Sequence, residues 1–473
     1  MTGPRVLSAR VHRSGMVFAA AVTVLGGAAW AAHHAVQAAH YGSENGSRLA
    51  AVWSVTFGLL LTQTVMYHAE RTRRPSARSR RRLDALHVAV LLPVYNEDPG
   101  YLRLGLESLL AQTRLPNSVH VVDDGSTSSD YAAVRTWWTI AAAQAGIATT
   151  WVRQDNAGKR HAQAAGVLAS PHADVYVTVD SDSCLAPDAI EELLLPFAKQ
   201  RVQSVAGIVL ATNHRTNLLT RITDLWFTVG QLTDRSALSA MGAVLVNSGP
   251  LAAYRAGVVR DNLDSYLNET FLGRPVMFSD DSLLTLYALL RGRTVQQPSA
   301  VVFTALPEKP SHFARMYMRW MRGSTIRSLW RMRYLPVTGW AYWAHLVRWF
   351  TVALSTCVLA WLLVVEPLTY GQRPPASFLL VPVLIGQAQA LRYLGVIRSD
   401  ERMRQRAVTW LLMPLAVVAS WTVLRAMRWW GMATCARTGW GTRQNGAEVS
   451  LPIPAPAAPA DTETTLQLAL PAR

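Results

Sequence analysis

The chain has 473 residues, carries a net charge of +16 at pH 7 and is half hydrophobic, with 17 tryptophans. This composition is too apolar for an ordinary soluble enzyme, and the three cysteines lie too far apart for a disulfide framework or a zinc site. The basic residues lie mostly beside apolar segments, which favours a cytoplasmic membrane surface over nucleic acid as their partner.

Two apolar runs predict an N-terminal membrane hairpin over residues 1–70. Residues 16–39 are almost uncharged and long enough to span a lipid bilayer, and residues 50–67 form a second run. Arginines precede the first run and follow the second. Those that follow the second run lie in residues 71–86, which form a basic linker. The positive-inside rule therefore places the N-terminus and the next domain in the cytoplasm of a multi-pass plasma-membrane protein.

Strands and helices alternate from residue 87 to residue 310, which predicts a mostly parallel α/β sheet. The predicted strands are His87–Val94, Ser118–Val122, Thr149–Val152 and Val175–Val179, and helices are predicted at Tyr101–Ala111 and Gly158–Ala169. Neither a G-x-G-x-x-G dinucleotide motif nor a P-loop occurs, so the sheet binds its ligand by other residues.

Asp180 and Asp182 directly follow the last of these strands. Strand geometry puts residues i and i+2 on one face, so both carboxylates can reach one cation. An oxygen pair of this kind suits Mg²⁺ or Mn²⁺, which complete their shells with water and phosphate. A lone pair more often caps the following helix, so the neighbouring motifs decide between the two interpretations.

Four more polar motifs fall at predicted strand ends or turns. They are Tyr95 with Glu97, Asp123 with Asp124, Lys159 with Arg160, and Asp280 with Asp281. Carboxylates at a strand end can accept hydrogen bonds from a ribose or a base, and cations at a helix start favour phosphate. Each motif alone is weak, but together they supply base contacts, phosphate contacts, metal ligands and a general base.

The C-terminal third predicts further membrane contact. Residues 311–336 read as a basic amphipathic helix at the interface, with arginines at 315, 319, 322, 327, 331 and 333. Within 337–432, spans are predicted at 340–365 and 377–397, joined by Pro367–Pro375. Residues 407–432 are predicted to be re-entrant or interfacial, because a single crossing would place the basic stretch 425–443 outside. The Ala/Pro-rich tail 447–473 is predicted to be disordered.

The order of these motifs resembles that of membrane-embedded, processive family 2 glycosyltransferases of the chitin and cellulose synthase superfamily. Three stretches are most similar to hyaluronan synthases: Asn156–Gln163, Asn247–Arg255 and Thr438–Arg443. The resemblance covers about residues 87–445. It implies a GT-A domain between transmembrane helices, and inverting transfer from UDP-GlcNAc and UDP-GlcA to a growing polysaccharide that is secreted across the membrane.

The resemblance also implies a role for each matching residue. Uridine would be held by Tyr95, Glu97, Asp123 and Asp124, and the sugar diphosphate by Lys159, Arg160, Asp180 and Arg319. The metal pair would be Asp180 and Asp182, and the general base Asp281 beside Asp280. The acceptor would contact Ser248, Gly249, Pro250 and Trp320. A gating loop in 433–446 would include Trp440, Thr442 and Arg443.

Three departures from the family pattern leave alternatives open. Met316 stands in place of the Gln of Q-x-x-R-W, Ser279 replaces the Gly or Thr before the acidic pair, and no further span is expected after Arg443. The last leaves open a short product or a homodimeric pore. The alternatives within the class are a chitooligosaccharide or poly-N-acetylglucosamine synthase and a non-processive membrane glycosyltransferase. From another class comes a non-catalytic basic membrane protein, which has no need of clustered carboxylates.

Overall fold

The computed structural model describes residues 7–38, 43–371, 376–439, 446–447 and 449–450. The strands are β1 Ala9–Val11, β2 Val88–Val94, β3 Ser118–Asp123, β4 Ala148–Arg153, β5 Val175–Thr178, β6 Cys184–Leu185, β7 Val202–Ala211, β8 Ala252–Arg255, β9 Thr270–Phe271, β10 Arg274–Pro275, β11 Arg293–Thr304 and β12 Val396–Arg398.

The α-helices from the N-terminus to the end of the α/β domain are α1 Gly15–Ala38, α2 Ser43–Ala69, α3 Ala77–Asp84, α4 Pro99–Leu110, α5 Ala132–Gln144, α6 Lys159–Ala169, α7 Ala189–Leu194, α8 Leu218–Gly230, α9 Ser236–Met241, α10 Ala256–Arg260, α11 Leu263–Leu267 and α12 Asp280–Arg291. The later helices are α13 Pro310–Tyr334, α14 Trp340–Ala360, α15 Glu366–Tyr370, α16 Ala376–Ala390, α17 Met403–Leu411, α18 Met413–Trp421 and α19 Val423–Ala433. The predicted gating residues Trp440, Thr442 and Arg443 lie outside the described residues, as does most of the tail 447–473.

An eight-stranded sheet forms the centre of the α/β domain, in the order β4-β3-β2-β5-β8-β7-β11-β6. All of its strands run in one direction except β8 and β6, so the predicted mostly parallel α/β sheet is confirmed. The four predicted strands and the two predicted helices are present within two residues of their expected bounds. The carboxyl ends of β2, β3 and β5 meet at one edge, which is where the polar motifs lie.

Helices cover both faces of this sheet because successive side chains of a strand point to opposite faces. On β2, Val90 and Leu92 pack in one apolar cluster with α4 and α5, whereas Ala89 and Leu91 pack in another with α6 and α12. Every residue of β2 is buried, as expected for a central parallel strand. Asp98 begins α4 by accepting hydrogen bonds from two backbone N–H groups of its first turn, and Pro99 follows. The capping residue Asp98 and the following proline thus explain why α4 begins directly after the turn that follows β2.

Three helical stretches of the described chain are long and apolar enough to cross a membrane: Gly15–His34, Trp340–Tyr370 and Met403–Ala433. The predicted second run, 50–67, lies within α2. The predicted link Pro367–Pro375 differs from the structure, because the helical path continues through a π-helical turn, Trp361–Val365, into α15. Pro367 follows directly after this π-helical turn, where the regular α-helical hydrogen-bond pattern is already interrupted, so a residue without an N–H is accommodated.

The predicted span 377–397 is also shorter in the structure. Helix α16 ends at Ala390, a 3₁₀ turn follows, and β12 pairs antiparallel with β1. Arg398 at the end of β12 is fully buried, with its Nη1 3.3 Å from Asp224 of α8 and its Nε 2.9 Å from Asp400. A guanidinium buried at this depth requires carboxylate partners, so the chain leaves the apolar helix to reach them. The β1–β12 pair and this cluster join the N-terminal strand and the segment after α16 to α8.

The last apolar run is broken into α17, α18 and α19. The breaks fall at Leu412 and at Thr422, whose backbone lies outside the helical region at φ −107° and ψ −86°. Helix α18 packs against α8 and α16, and α19 packs against α13. These contacts of α18 and α19 with α8 and α13 are compatible with the predicted re-entrant path of residues 407–432. That path stays a prediction.

A reporter fusion tests this path. A topology reporter fused after residue 446 is expected to read as cytoplasmic, because a re-entrant segment returns the chain to the side from which it entered. The same reporter fused after residue 371 is the control and should read as external. An external signal from the fusion after residue 446 would show that residues 407–432 cross the membrane once.

Candidate active site

Lys159 lies at the centre of the candidate site. Its Nζ is 2.7 Å from Asp180 Oδ1 and 3.2 Å from Asp280 Oδ2. Lys159 begins α6, Asp180 follows β5 and Asp280 begins α12, so one cation joins three stretches that are distant in the sequence. Burial alone would lower the pKa of Lys159, but Asp180 and Asp280 outweigh it and raise this pKa. The lysine therefore stays charged at neutral pH.

The two carboxylates at the start of α12 have opposite electrostatic surroundings. Burial raises the pKa of Asp281 to about 7, and the adjacent Asp280 carboxylate adds to this rise. Burial also acts on Asp280, but Lys159 and then Arg160 outweigh it and lower the Asp280 pKa. Neighbouring carboxylates with separated pKa values are typical of sites in which one group stays ionised and the other exchanges protons.

Ser279 holds this acidic pair in place from an unusual backbone conformation. Its φ is +63°, in the left-handed region that favours glycine, which explains why Gly suits this position in the family pattern. Helix α13 crosses the turn closely, since a Cβ added at Gly323 would lie 2.8 Å from the Cβ of Ser279. The helix that carries Arg319 and Trp320 is therefore in contact with the turn that carries Asp281.

Asp180 and Asp182 meet the requirements of a hard divalent cation. Both carboxylates are partly exposed at the sheet edge, and Thr304 at the end of β11 donates a 2.9 Å hydrogen bond to Asp182 Oδ1. Burial raises the pKa of Asp180, against the effect of Lys159. Among the residues that the structure describes, no cluster of three or more His, Cys, Asp or Glu could form a complete protein cage. Water and phosphate would supply the remaining ligands of Mg²⁺ or Mn²⁺.

An open cleft of about 630 Å³ lies beside the ends of β3 and β4. Its lining residues are Gly125, Thr127, Arg153, Gln154, Asp155 and Asn156. Asp124 holds one wall, because its carboxylate accepts hydrogen bonds from Gln154 Nε2 at 2.7 Å and from the backbone N–H groups of Ala157 and Gly158 at 3.0 and 2.9 Å. Asp124 thus shapes the cleft by ordering residues 154–158.

The other residues predicted to bind uridine also organise loops around this cleft. Asp123 accepts the backbone N–H of Ser126 at 2.9 Å, which closes the turn after β3. Glu97 is 2% exposed, and its Oε2 accepts a 2.8 Å hydrogen bond from Ser181, the residue between the two aspartates of the metal pair. Tyr95 is half-buried at the end of β2. The motif after β2 and the D-x-D motif are therefore physically joined.

The predicted acceptor segment lies directly against the central lysine. A Cβ added at Gly249 would be 3.2 Å from Lys159 Nζ and 3.3 Å from Asp180 Oδ2, so only a residue without a side chain fits without displacing them. Trp320 lies on α13, and its ring stacks on Phe227 at a centroid distance of 5.7 Å. Met316 is buried, so the position of the usual Gln contributes packing in this protein.

A buried ion cluster that the sequence motifs did not reveal centres on Glu269. Its carboxylate is 2.7 Å from Arg160 and 2.7 Å from Arg327, and it accepts a 2.8 Å hydrogen bond from Trp330 Nε1. Burial would raise the Glu269 pKa, but Arg327 and then Arg160 outweigh it and lower this pKa. Arg160 also donates to the backbone carbonyl of Phe278 at 2.7 Å. Its guanidinium is thus engaged within the protein, whereas Lys159 faces the site.

The interface helix differs from the simple amphipathic prediction in the same region. Arg327 and Arg331, expected on the polar face of α13, are both buried. A buried guanidinium needs compensating acceptors, and these are supplied by Glu269 and by the backbone carbonyl of Leu245. No local pattern marks Glu269, because its partners lie more than fifty residues away in both directions.

We expect Glu269→Gln to destabilise the protein by roughly 3–5 kcal/mol, because it leaves two buried guanidiniums without their shared carboxylate. The measurement is the free energy of unfolding of the full chain in detergent micelles. The matched control is Glu107→Gln, which breaks an exposed pair with Arg103 on α4 and should cost only about 0.3–0.5 kcal/mol. Equal effects of the two substitutions would contradict this account of Glu269.

The known proteins to which this chain is similar in sequence are glycosyltransferases. The sequence model described as "Glycosyltransferase like family 2" matches residues 84–323. The chain is 34% identical over 363 residues to a hyaluronan synthase of Streptococcus pyogenes, and the aligned region covers 76% of this chain and 83% of that protein. It is 29% identical over 386 residues to an N-acetylglucosaminyltransferase of Mesorhizobium japonicum, with the same shares covered. A mannosyltransferase from Pyrobaculum calidifontis, solved with GDP-Man and Mn²⁺, aligns with 19% identity and a TM-score of 0.47 over 85% of this chain and 98% of that chain.

Proposed function

Because the chain belongs to glycosyltransferase family 2, we propose that it is an inverting, processive transferase of the hyaluronan-synthase type. In this proposal it polymerises sugars from UDP-GlcNAc and UDP-GlcA and secretes the polymer across the membrane. The observation that carries the proposal is the meeting of Lys159, Asp180 and Asp280 beside Asp281 and the acceptor segment. The similarity to a hyaluronan synthase over most of both chains supports the choice of product.

The donor would lie along the edge of the sheet. Uridine enters the cleft beside Asp124, and Tyr95, Glu97 and Asp123 hold the surrounding loops. The diphosphate then reaches Lys159, whose charge is maintained by its carboxylate neighbours. Arg319 of α13 would add a second positive charge to the diphosphate. Arg160 acts indirectly, because its ion pair with Glu269 fixes the start of α6. Trp440, Thr442 and Arg443 would close over the bound nucleotide.

Asp180 and Asp182 would hold Mg²⁺ or Mn²⁺, which when bound supplies positive charge to the departing diphosphate. Lys159 supplies further positive charge at the same place, within a buried site where electrostatic interactions are strong.

Asp281 would act as the general base. It removes the proton of an acceptor hydroxyl, the hydroxyl oxygen forms a bond to the anomeric carbon, and the bond from that carbon to the diphosphate breaks. A single displacement of this kind inverts the configuration. Trp320 would stack on the acceptor sugar, while Ser248, Gly249 and Pro250 line its other side.

The membrane segments would form the exit path. Three apolar helices and the arginine-rich stretches at 71–82 support a multi-pass protein of the plasma membrane whose catalytic domain is cytoplasmic. The described helices leave open whether one chain or a homodimer encloses the polymer.

The choice of donor is tested by measuring UDP release from the purified protein with Mn²⁺. We expect turnover to need both UDP-GlcNAc and UDP-GlcA. Turnover with UDP-GlcNAc alone would instead favour a chitooligosaccharide or poly-N-acetylglucosamine product, in line with the relative from Mesorhizobium japonicum. No turnover with any UDP-sugar would contradict the proposed function and favour a non-catalytic membrane protein.

Asp281→Asn is expected to lower the rate of sugar transfer by roughly 10²–10⁴-fold, the usual contribution of a general base, and to leave UDP binding intact. Transfer and UDP binding are measured separately, by product formation and by calorimetry. In the unsubstituted protein, transfer should fall by about tenfold per unit as the pH drops below about 7, because the raised Asp281 pKa leaves the base protonated. Loss of UDP binding in Asp281→Asn would show that Asp281 has a structural role.

A further inference from the structure

The acceptor segment, residues 245–250, is held by two buried arginines from two different helical elements. Arg235 Nη1 donates a 2.6 Å hydrogen bond to Ser248 Oγ, and Arg331 Nη2 of α13 donates a 2.5 Å hydrogen bond to the carbonyl of Leu245. Arg235 is 9% exposed and Arg331 is 4% exposed. A buried guanidinium is costly unless its N–H groups are hydrogen-bonded, so each arginine favours the loop conformation that presents its acceptor.

Arg235 is itself fixed from several sides. It ends a π-helical turn, Gln231–Arg235, between α8 and α9, and π-helical turns occur frequently at functional sites. Its Nη2 donates to the carbonyl of Gly207 at 2.7 Å and to Gln231 Oε1 at 2.5 Å, and its Nε donates to Gln296. The direction of its guanidinium is therefore determined independently of Ser248.

The same network extends to the end of α2. Glu70, directly after α2, is bonded by Ser236 and accepts a 3.3 Å hydrogen bond from Gln296 Nε2. Gln296 in turn accepts from Arg235. A chain of hydrogen bonds thus runs from the end of α2, through Gln296 and Arg235, to the hydroxyl of Ser248.

Both arginines are also within electrostatic reach of the candidate base. Burial lowers the pKa of Arg235 to about 10 and that of Arg331 to about 9, and in each case the Asp281 carboxylate opposes this effect. Gly249, next to Ser248, lies against Lys159 and Asp180. A shift of Ser248 would therefore move the acceptor segment relative to both the base and the donor cation.

We propose that Arg235 and Arg331 are positioning residues that clamp the acceptor segment from two different helical elements, so that the acceptor hydroxyl meets Asp281. This inference deepens the proposed function and rests on it for the identity of the acceptor side. A misplaced acceptor leaves water as the competing nucleophile, in which case the donor is hydrolysed to UDP and free sugar. The clamp thus controls how the donor is divided between transfer and hydrolysis.

The test uses the full chain in detergent with Arg235→Lys, which keeps the charge but cannot make the same set of hydrogen bonds. Hydrogen exchange of residues 245–249 should become about tenfold faster, as expected for one lost charge-assisted hydrogen bond, with residues 156–160 unchanged. Transfer should fall roughly 10- to 100-fold while the UDP dissociation constant stays within about twofold, and the share of free sugar should rise. Ser248→Ala, which removes the hydroxyl and no charge, should shift the same ratio in the same direction.

Arg255→Lys is the matched control. Arg255 ends β8, and its guanidinium also bonds backbone carbonyls, those of Phe197 and Val202, away from the site. It should leave exchange in 245–249 and the transfer-to-hydrolysis ratio unchanged. Two results would contradict the proposed clamp. One is an unchanged rate of hydrogen exchange of residues 245–249 in Arg235→Lys, and the other is an unchanged ratio of transfer to hydrolysis in Ser248→Ala. Hydrogen exchange is measured without substrate, so it tests the clamp independently of activity. Absence of turnover by the unsubstituted protein with any UDP-sugar would refute the proposed function, and the exchange result would still decide whether the clamp exists.

Discussion

The ion bridge from Lys159 to Asp180 and Asp280 is the interaction on which the rest of the site depends. The carboxylates after β5 and at the start of α12 stay ionised at this spacing because a cation lies between them, since burial and mutual repulsion would otherwise favour their protonated forms. One lysine offsets only part of the charge of Asp180, Asp182 and Asp280. The remaining negative charge suits a divalent cation, and an incoming diphosphate is then accommodated together with that cation rather than alone.

A second buried ion cluster, centred on Glu269, joins two of the helices that form the site. Glu269 binds Arg160 of α6 and Arg327 of α13, so the helix that presents Lys159 and the helix that presents Arg319 and Trp320 are joined through one buried carboxylate. The proposed donor side and the proposed acceptor side are therefore joined before any ligand binds. Such preorganisation is the main requirement for displacement reactions in which charge develops at the leaving group.

The amino-acid pattern predicts the first half of the sheet well, because β2 to β5 alternate with helices and end in recognisable polar motifs. It does not predict that β8 inserts antiparallel between β5 and β7, since that pairing joins residues about fifty to eighty positions apart. The same limit applies to side chains. Asp124 and Arg160 are found at the expected strand end and helix start, but which donors and acceptors surround them depends on Gln154 and Glu269, which belong to no motif.

Two of the three departures from the family pattern lie at the start of α12 and on α13, and these two helices pack against each other. Ser279 adopts a left-handed conformation at a cost of about 1–2 kcal/mol relative to glycine, and this is sustained because Gly323 of α13 packs directly on it. Met316, seven residues earlier on α13, is buried and contributes apolar packing where the family pattern has a polar Gln. In this protein the turn that carries the acidic pair is thus packed directly against α13. A displacement of α13 at Gly323 would therefore press on Ser279, the residue that precedes Asp280 and Asp281.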